Sequence, residues 1–157
     1  MKLKLFARED GRYGVRNRIA VIPTVACVNH LAEQIAAGVE IADAYTHPYG
    51  CDQLGFDREL SFHCLERMGS HPNVGAVLVV GLGCEEIDAE ELEQAIRQHR
   101  TRTASMIMQQ TGGTTFCVEK GIEICKQFAA QLAKDERVET EISHLTIGVE
   151  CGGSDFS

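Results

Sequence analysis

The run Val74-Gly75-Ala76-Val77-Leu78-Val79-Val80 carries no polar side chain. A strand with one wet face alternates apolar and polar residues, whereas a strand covered on both faces does not. This run is therefore expected at the centre of a parallel sheet, with helices on either side. Further strand-like runs occur at Ile19-Ala20-Val21-Ile22-Pro23-Thr24, Ala42-Asp43-Ala44-Tyr45-Thr46-His47, Ala104-Ser105-Met106-Ile107-Met108 and Leu145-Thr146-Ile147-Gly148-Val149. Helical patterns separate them at 28–37, 57–68, 88–99 and 114–134. Val28, Leu31 and Ile35 share one helical face; Leu60, Cys64, Leu65 and Met68 share another. Asp88 is placed to cap the third helix, with Glu91 completing a capping box. Segment 135–141 reads as a charged connection.

Strand and helix alternating in this way imply parallel strands joined by right-handed crossovers. The expected fold is α/β and three-layered, with a mainly parallel five-stranded sheet of Rossmann-like type over residues 1–150. The tail Cys151-Gly152-Gly153-Ser154-Asp155-Phe156-Ser157 follows the last strand without a covering helix. It reads as the start of a further, truncated domain. Apolar residues make up 44% and charged residues 24% of the 157, an ordinary globular composition. No run approaches the ~20 apolar residues of a membrane span, and the N-terminus lacks a signal-peptide pattern. The cytoplasm is the expected compartment. A net charge of −8 argues against nucleic-acid binding, which needs clustered cations.

Seven cysteines without cystine-framework spacing argue against structural disulfides. In open parallel sheets, ligands sit beyond the carboxyl ends of the strands. Cys27, Cys51, Cys84 and Cys151 follow the first, second, third and fifth expected strands. Four thiols distant in sequence are thus expected at one edge, as a shared metal site. Thiolates suit iron, zinc or iron–sulfur clusters. Cys64, Cys117 and Cys125 fall within helices and read as core packing.

Other loops carry chemistry of their own. Gly81-Leu82-Gly83-Cys84-Glu85 is a glycine-rich turn whose amides could cradle an anion. Gly112-Gly113-Thr114 is a second such turn at a helix start. Arg12 and Arg16, in a basic loop before the first strand, could fork onto a carboxylate. His47 ends the second strand four residues before Cys51, placed for acid–base work or metal ligation.

Taken together and in order, seven segments carry a resemblance. They are Gly11-Arg12-Tyr13-Gly14-Val15-Arg16-Asn17, Thr24-Val25-Ala26-Cys27-Val28-Asn29, Gly50-Cys51, His71-Pro72-Asn73, Gly81-Leu82-Gly83-Cys84-Glu85, Gln109 with Thr111-Gly112-Gly113-Thr114, and Cys151-Gly152-Gly153-Ser154-Asp155. The chain resembles the altronate/galactarate dehydratase family, which also contains a sulfolactate sulfo-lyase large subunit. The resemblance implies a lyase that eliminates water, or sulfite, from a small anionic hydroxy acid. It implies Fe2+ as the usual metal, with an iron–sulfur cluster or Mn2+ as alternatives. It also implies a longer chain, a separate small subunit and a homo-oligomer. One position departs from the pattern: Gln110 stands where the family usually has Glu.

On this resemblance, Cys27, Cys51, Cys84 and Cys151 are the expected metal ligands and His47 the acid or base. Arg12, Arg16, Asn17, Gln109, Gly112, Gly113 and Thr114 are the expected substrate contacts. The expected reaction removes the proton beside a carboxylate and expels the neighbouring hydroxyl. Sulfite elimination by the same frame is the nearest alternative. A non-catalytic metal-binding subunit is the other, suggested by Gln110.

Overall fold

The computed structural model describes residues 2–150 and 152–153. Its elements run β1 (Lys2–Ala7), β2 (Tyr13–Gly14), β3 (Arg18–Pro23), α1 (Asn29–Ala37), β4 (Ala42–Ala44) and α2 (Phe56–Gly69). They continue β5 (Val74–Gly81), α3 (Ala89–Arg97), β6 (Thr103–Ile107), α4 (Met108–Thr111), α5 (Thr114–Leu132) and β7 (Val138–Glu141).

The central sheet has four strands in the order β4-β3-β5-β6, all pairings parallel. Every residue of β5 is buried, as its uninterrupted apolar run requires. Ile19 lies opposite Ala76 and Val21 opposite Leu78, so like residues share a face. On one face Ile19, Val21, Ala76, Leu78 and Val80 pack with Ile35 of α1 and with Cys117, Cys125 and Phe128 of α5. On the other, Ala20, Ile22, Val77 and Val79 pack with Leu65 of α2 and Leu92 and Ile96 of α3. The Asp88 side chain caps α3, accepting from the amides of Glu90 and Glu91 at 2.8 Å each. Glu91 does not return the bond expected of a capping box; its carboxylate pairs instead with Arg58 at 2.9 Å.

The expected fifth parallel strand is absent among the described residues. Residues 145–149 form no strand, and Ile147 and Val149 are 73% and 92% exposed. Crossover handedness limits where such a strand could pair. The step from β3 through α1 goes to β4, whereas the steps through α2 and α3, on the opposite face, go towards β6. Helix α5 packs on the α1 face, so a crossover of the same hand leads away from the free edge of β6.

A second sheet was not expected. It is three-stranded, ordered β2-β1-β7 and antiparallel. Its strand β7 lies within the segment read as a charged connection, with Leu3 opposite Thr140. This sheet sits at the amino edge of the parallel sheet. Arg8 and Arg100, 8% and 1% exposed, join the two. Arg8 donates to Pro72 O at 2.7 Å and to Asn17 Oδ1 at 2.8 Å. Arg100 donates to Val74 O and Asp10 Oδ2, both at 3.0 Å. Among the described residues, no helix is long and apolar enough to cross a membrane.

Helix α2 also departs from expectation. Of its predicted buried face only Leu65 is buried; Leu60, Cys64 and Met68 are exposed. The helix sits close to the core at Gly69, where an added Cβ would meet Ile96 Cδ1 at 2.6 Å. Its other apolar side chains line an outward cavity of about 600 Å3 with His47, Tyr49 and Gln53.

Candidate active site

The carboxyl edge of the parallel sheet carries three cysteine loops. Cys27 sits in a short 3-10 turn, Ala26–Val28, directly after β3. Cys51 lies in the loop after β4 and Cys84 in the turn after β5, and all three thiols are exposed. The Cys51 loop is fastened against the Cys27 turn. The Ala26 amide donates to Tyr49 O at 2.8 Å, and Asn29 Nδ2 donates to His47 O at 2.8 Å. Gly50 has φ +103°, and a Cβ there would lie 2.4 Å from Thr24 O. Only glycine permits both the conformation and the approach.

The Cys51 thiol is pushed above the usual range, first by the charge of Asp52, then by burial, then by Cys27 and Cys84. Cys27 and Cys84 thus both lie near enough to Cys51 to bear on its ionisation. The three do not form a closed cage: among the described residues, no three His, Cys, Asp or Glu side chains converge closely enough to hold a metal ion. Cys151, the fourth expected ligand, lies outside the described residues.

The Gly81–Glu85 turn holds an anion, but its own. Glu85 Oε1 accepts from Thr24 Oγ1 at 2.5 Å and from the Leu82 amide at 2.8 Å. Its Oε2 accepts from the amides of Gly83 at 2.6 Å and Cys84 at 2.9 Å. Burial alone would raise this carboxyl, yet the Thr24 hydroxyl and the turn amides hold it below the usual carboxylate range. The expected anion cradle is therefore filled from within.

Gln109 and the following turn reach the same edge. The Gln109 amide donates to Leu82 O at 3.1 Å, and a Cβ on Gly83 would meet Gln109 Oε1 at 2.9 Å. Gly112 and Gly113 have φ of +97° and +100°. Gly113 immediately precedes the 19-residue helix α5, whose first turn has neither a side-chain cap nor an acidic residue. Its leading amides and positive dipole end, with the exposed Thr114, are suited to an anionic group. Gln110 is exposed and lines a cavity of about 630 Å3 with Thr111, Phe116 and Lys120.

His47 is close to the thiol loops, but both of its ring nitrogens are engaged. Nε2 lies 2.8 Å from Pro23 O and donates to it; Nδ1 accepts from the Tyr49 amide at 3.3 Å. Arg12, Arg16 and Asn17 are not brought to this edge. They precede β3 and therefore lie at the amino edge, across the length of the sheet. Arg12 pairs with Asp10 and donates to Ser70 O at 2.6 Å. Arg16 is exposed, and its amide donates to Asn73 Oδ1 at 3.1 Å. Asn17 ties Arg8 to Asp135. In this structure the motif 11–17 organises the join between the two sheets. Sequence reasoning placed these residues with the thiols because a loop before a strand and a loop after it look alike in a motif string. It missed the roles of Thr24, Asn29 and Glu85, although each stands inside a quoted motif beside a cysteine.

The fold is a doubly wound α/β domain with three cysteine-bearing loops beyond its strand ends. The chain belongs to the family described as D-galactarate dehydratase/altronate hydrolase, second domain, which it matches over residues 6–133. It is 37% identical to altronate dehydratase of Escherichia coli (strain K12) over 98% of its own length and 33% of that protein's. Against altronate dehydratase of Bacillus subtilis (strain 168) it is 35% identical, covering 97% of this chain and 32% of that protein. It is also 29% identical to (2R)-sulfolactate sulfo-lyase subunit beta of Chromohalobacter salexigens, over 96% of this chain and 38% of that one. The chain thus spans about a third of the length of these relatives.

Proposed function

We propose that the protein containing this domain is a hydro-lyase that removes water from a sugar acid of the altronate class. The observation carrying this reading is the match, over nearly the whole chain, to two altronate dehydratases at 37% and 35% identity. Identity to galactarate dehydratase is lower, at 25%. Cys27, Cys51 and Cys84, with Cys151, are proposed to hold the metal. The donors suit it chemically: three exposed thiols on neighbouring loops at one sheet edge are ligands of the kind a soft or borderline cation takes. Iron fits this set better than Mn2+, which prefers oxygen ligands. Bound iron would supply Lewis acidity toward the substrate's oxygens.

The chain's own residues would do the rest. The open amides at the start of α5, with Gly112, Gly113 and Thr114, would hold the carboxylate. Gln109 would hydrogen-bond a hydroxyl beside the Cys84 loop. His47 would move the proton at Nδ1, whose bond to the Tyr49 amide is the longer of its two ring contacts. Arg12, Arg16 and Asn17 could contact substrate only from a neighbouring subunit, which is where the proposed homo-oligomer and separate small subunit bear on the site.

The test uses the full-length protein loaded anaerobically with Fe2+ and offered altronate, galactarate and sulfolactate separately. A 2-keto-3-deoxy acid formed from altronate supports the reading. Sulfite release from sulfolactate without dehydration of altronate would replace it with the sulfo-lyase reading, which the 29% identity to that subunit favours next.

A further inference from the structure

We infer that Thr24 and Glu85 form a clamp that sets all three cysteine loops in register, acting as positioning residues for the proposed thiol site. The inference rests on the metal reading only for its consequence; the clamp itself rests on geometry. Thr24 is fully buried at the end of β3, three residues before Cys27. Its amide donates to Val80 O at 3.0 Å, which extends the β3–β5 ladder. Its hydroxyl donates to Glu85 Oε1 at 2.5 Å, and its carbonyl oxygen is the atom that an added Cβ on Gly50 would strike. One residue therefore touches the loop of Cys84, the loop of Cys51 and the turn of Cys27.

Glu85 completes the device. Its carboxylate accepts from three successive amides, Leu82, Gly83 and Cys84, and so dictates the backbone path on which the Cys84 thiol is carried. Gly81 is cut to fit it: a Cβ there would lie 2.7 Å from Glu85 Oε1. A carboxylate that satisfies a nest of amides also removes that nest as a competing anion site. Neither side chain presents a sulfur, yet their mutual bond is what ties the Cys84 turn to the Cys27 and Cys51 loops, which the Ala26 and Asn29 bonds already hold together. Groups of this kind orient ligands without contacting the metal.

The experiment uses the full-length chain. In the metal-free protein, Glu85→Gln turns an amide donor towards the turn amides, so exchange at the Gly83 and Cys84 amides should accelerate. The iodoacetamide rates of Cys27, Cys51 and Cys84 should change together in Glu85→Gln and in Thr24→Val, and return in Thr24→Ser. Cys64, exposed on α2, is the control whose rate should stay constant, and protection of buried Cys117 and Cys125 reports an intact fold. With Co2+ as probe, both variants should weaken the thiolate-to-cobalt charge-transfer complex roughly 10- to 100-fold. Unchanged amide exchange and thiol rates in Glu85→Gln would overturn the clamp. A wild-type chain with no charge-transfer band would instead overturn the metal reading, and the clamp is then decided by the metal-free data.

Discussion

Six described cysteines fall into two physical classes. Cys27, Cys51, Cys64 and Cys84 are exposed, whereas Cys117 and Cys125 are buried between α5 and the sheet. Burial pushes the Cys125 thiol up to about 12, so at neutral pH it carries almost no thiolate. Peptide mapping after alkylation of the native protein should find label on the first four and none on the last two until unfolding. Gly50 is equally sharp at this scale. Gly50→Ala adds a Cβ 2.4 Å from Thr24 O at a φ of +103°, and should cost about 2 kcal/mol or more in a denaturant melt. Label on Cys117 in the folded state, or a Gly50→Ala variant as stable as wild type, would show the packing to be wrong.

At the scale of elements, the cap of α3 is a simple test. Asp88→Ala removes the acceptor for the Glu90 and Glu91 amides and should destabilise the domain by about 1 kcal/mol in thermal melts. The same element shows what could be read from sequence. A residue type that satisfies helix-end amides is a local signal, and so is a run such as 74–80 that can only be a covered strand. The burial of α2 was not legible. Leu60, Cys64 and Met68 have helical spacing for a core face, but the contact at Gly69 and Leu65 turns them outward. Pattern gives a helix an apolar stripe without saying which partner covers it. The missed strands β1 and β7 have the same origin. Each is short and carries charged side chains, and each is stabilised by pairing with the other across most of the chain. The thiol edge, by contrast, followed from topology alone, because parallel strands must end on the same side.

Over the whole molecule, the two sheets are joined by ion pairs, and acid should separate them. Asp10 is held well below the usual carboxylate range: burial opposes this, but Arg12 and Arg100 prevail. Asp135 is lowered likewise against burial, by Arg102 and Asn17; Asp43, paired with Arg18 inside the parallel sheet and not across the join, is lowered first by that bond. In the unfolded chain these groups take up protons near pH ~3.9, whereas in the folded chain they remain charged. The unfolded state then binds more protons, so the stabilisation is complete above that pH and declines as pH falls towards the folded values. Thermal melts should show Tm dropping below about pH 4, and Asp135→Asn should make that decline shallower. A Tm indifferent to acid in this range would mean the network contributes nothing.

The strand-end thiols are proposed to share one metal. X-ray absorption at the iron edge, on anaerobically loaded full-length protein, tests this most directly. Sulfur scatterers around the iron, reduced in number in Cys51→Ala and again in Cys84→Ala but unchanged in Cys64→Ala, are the result expected. An iron shell of oxygen and nitrogen alone, indifferent to all three substitutions, would contradict it.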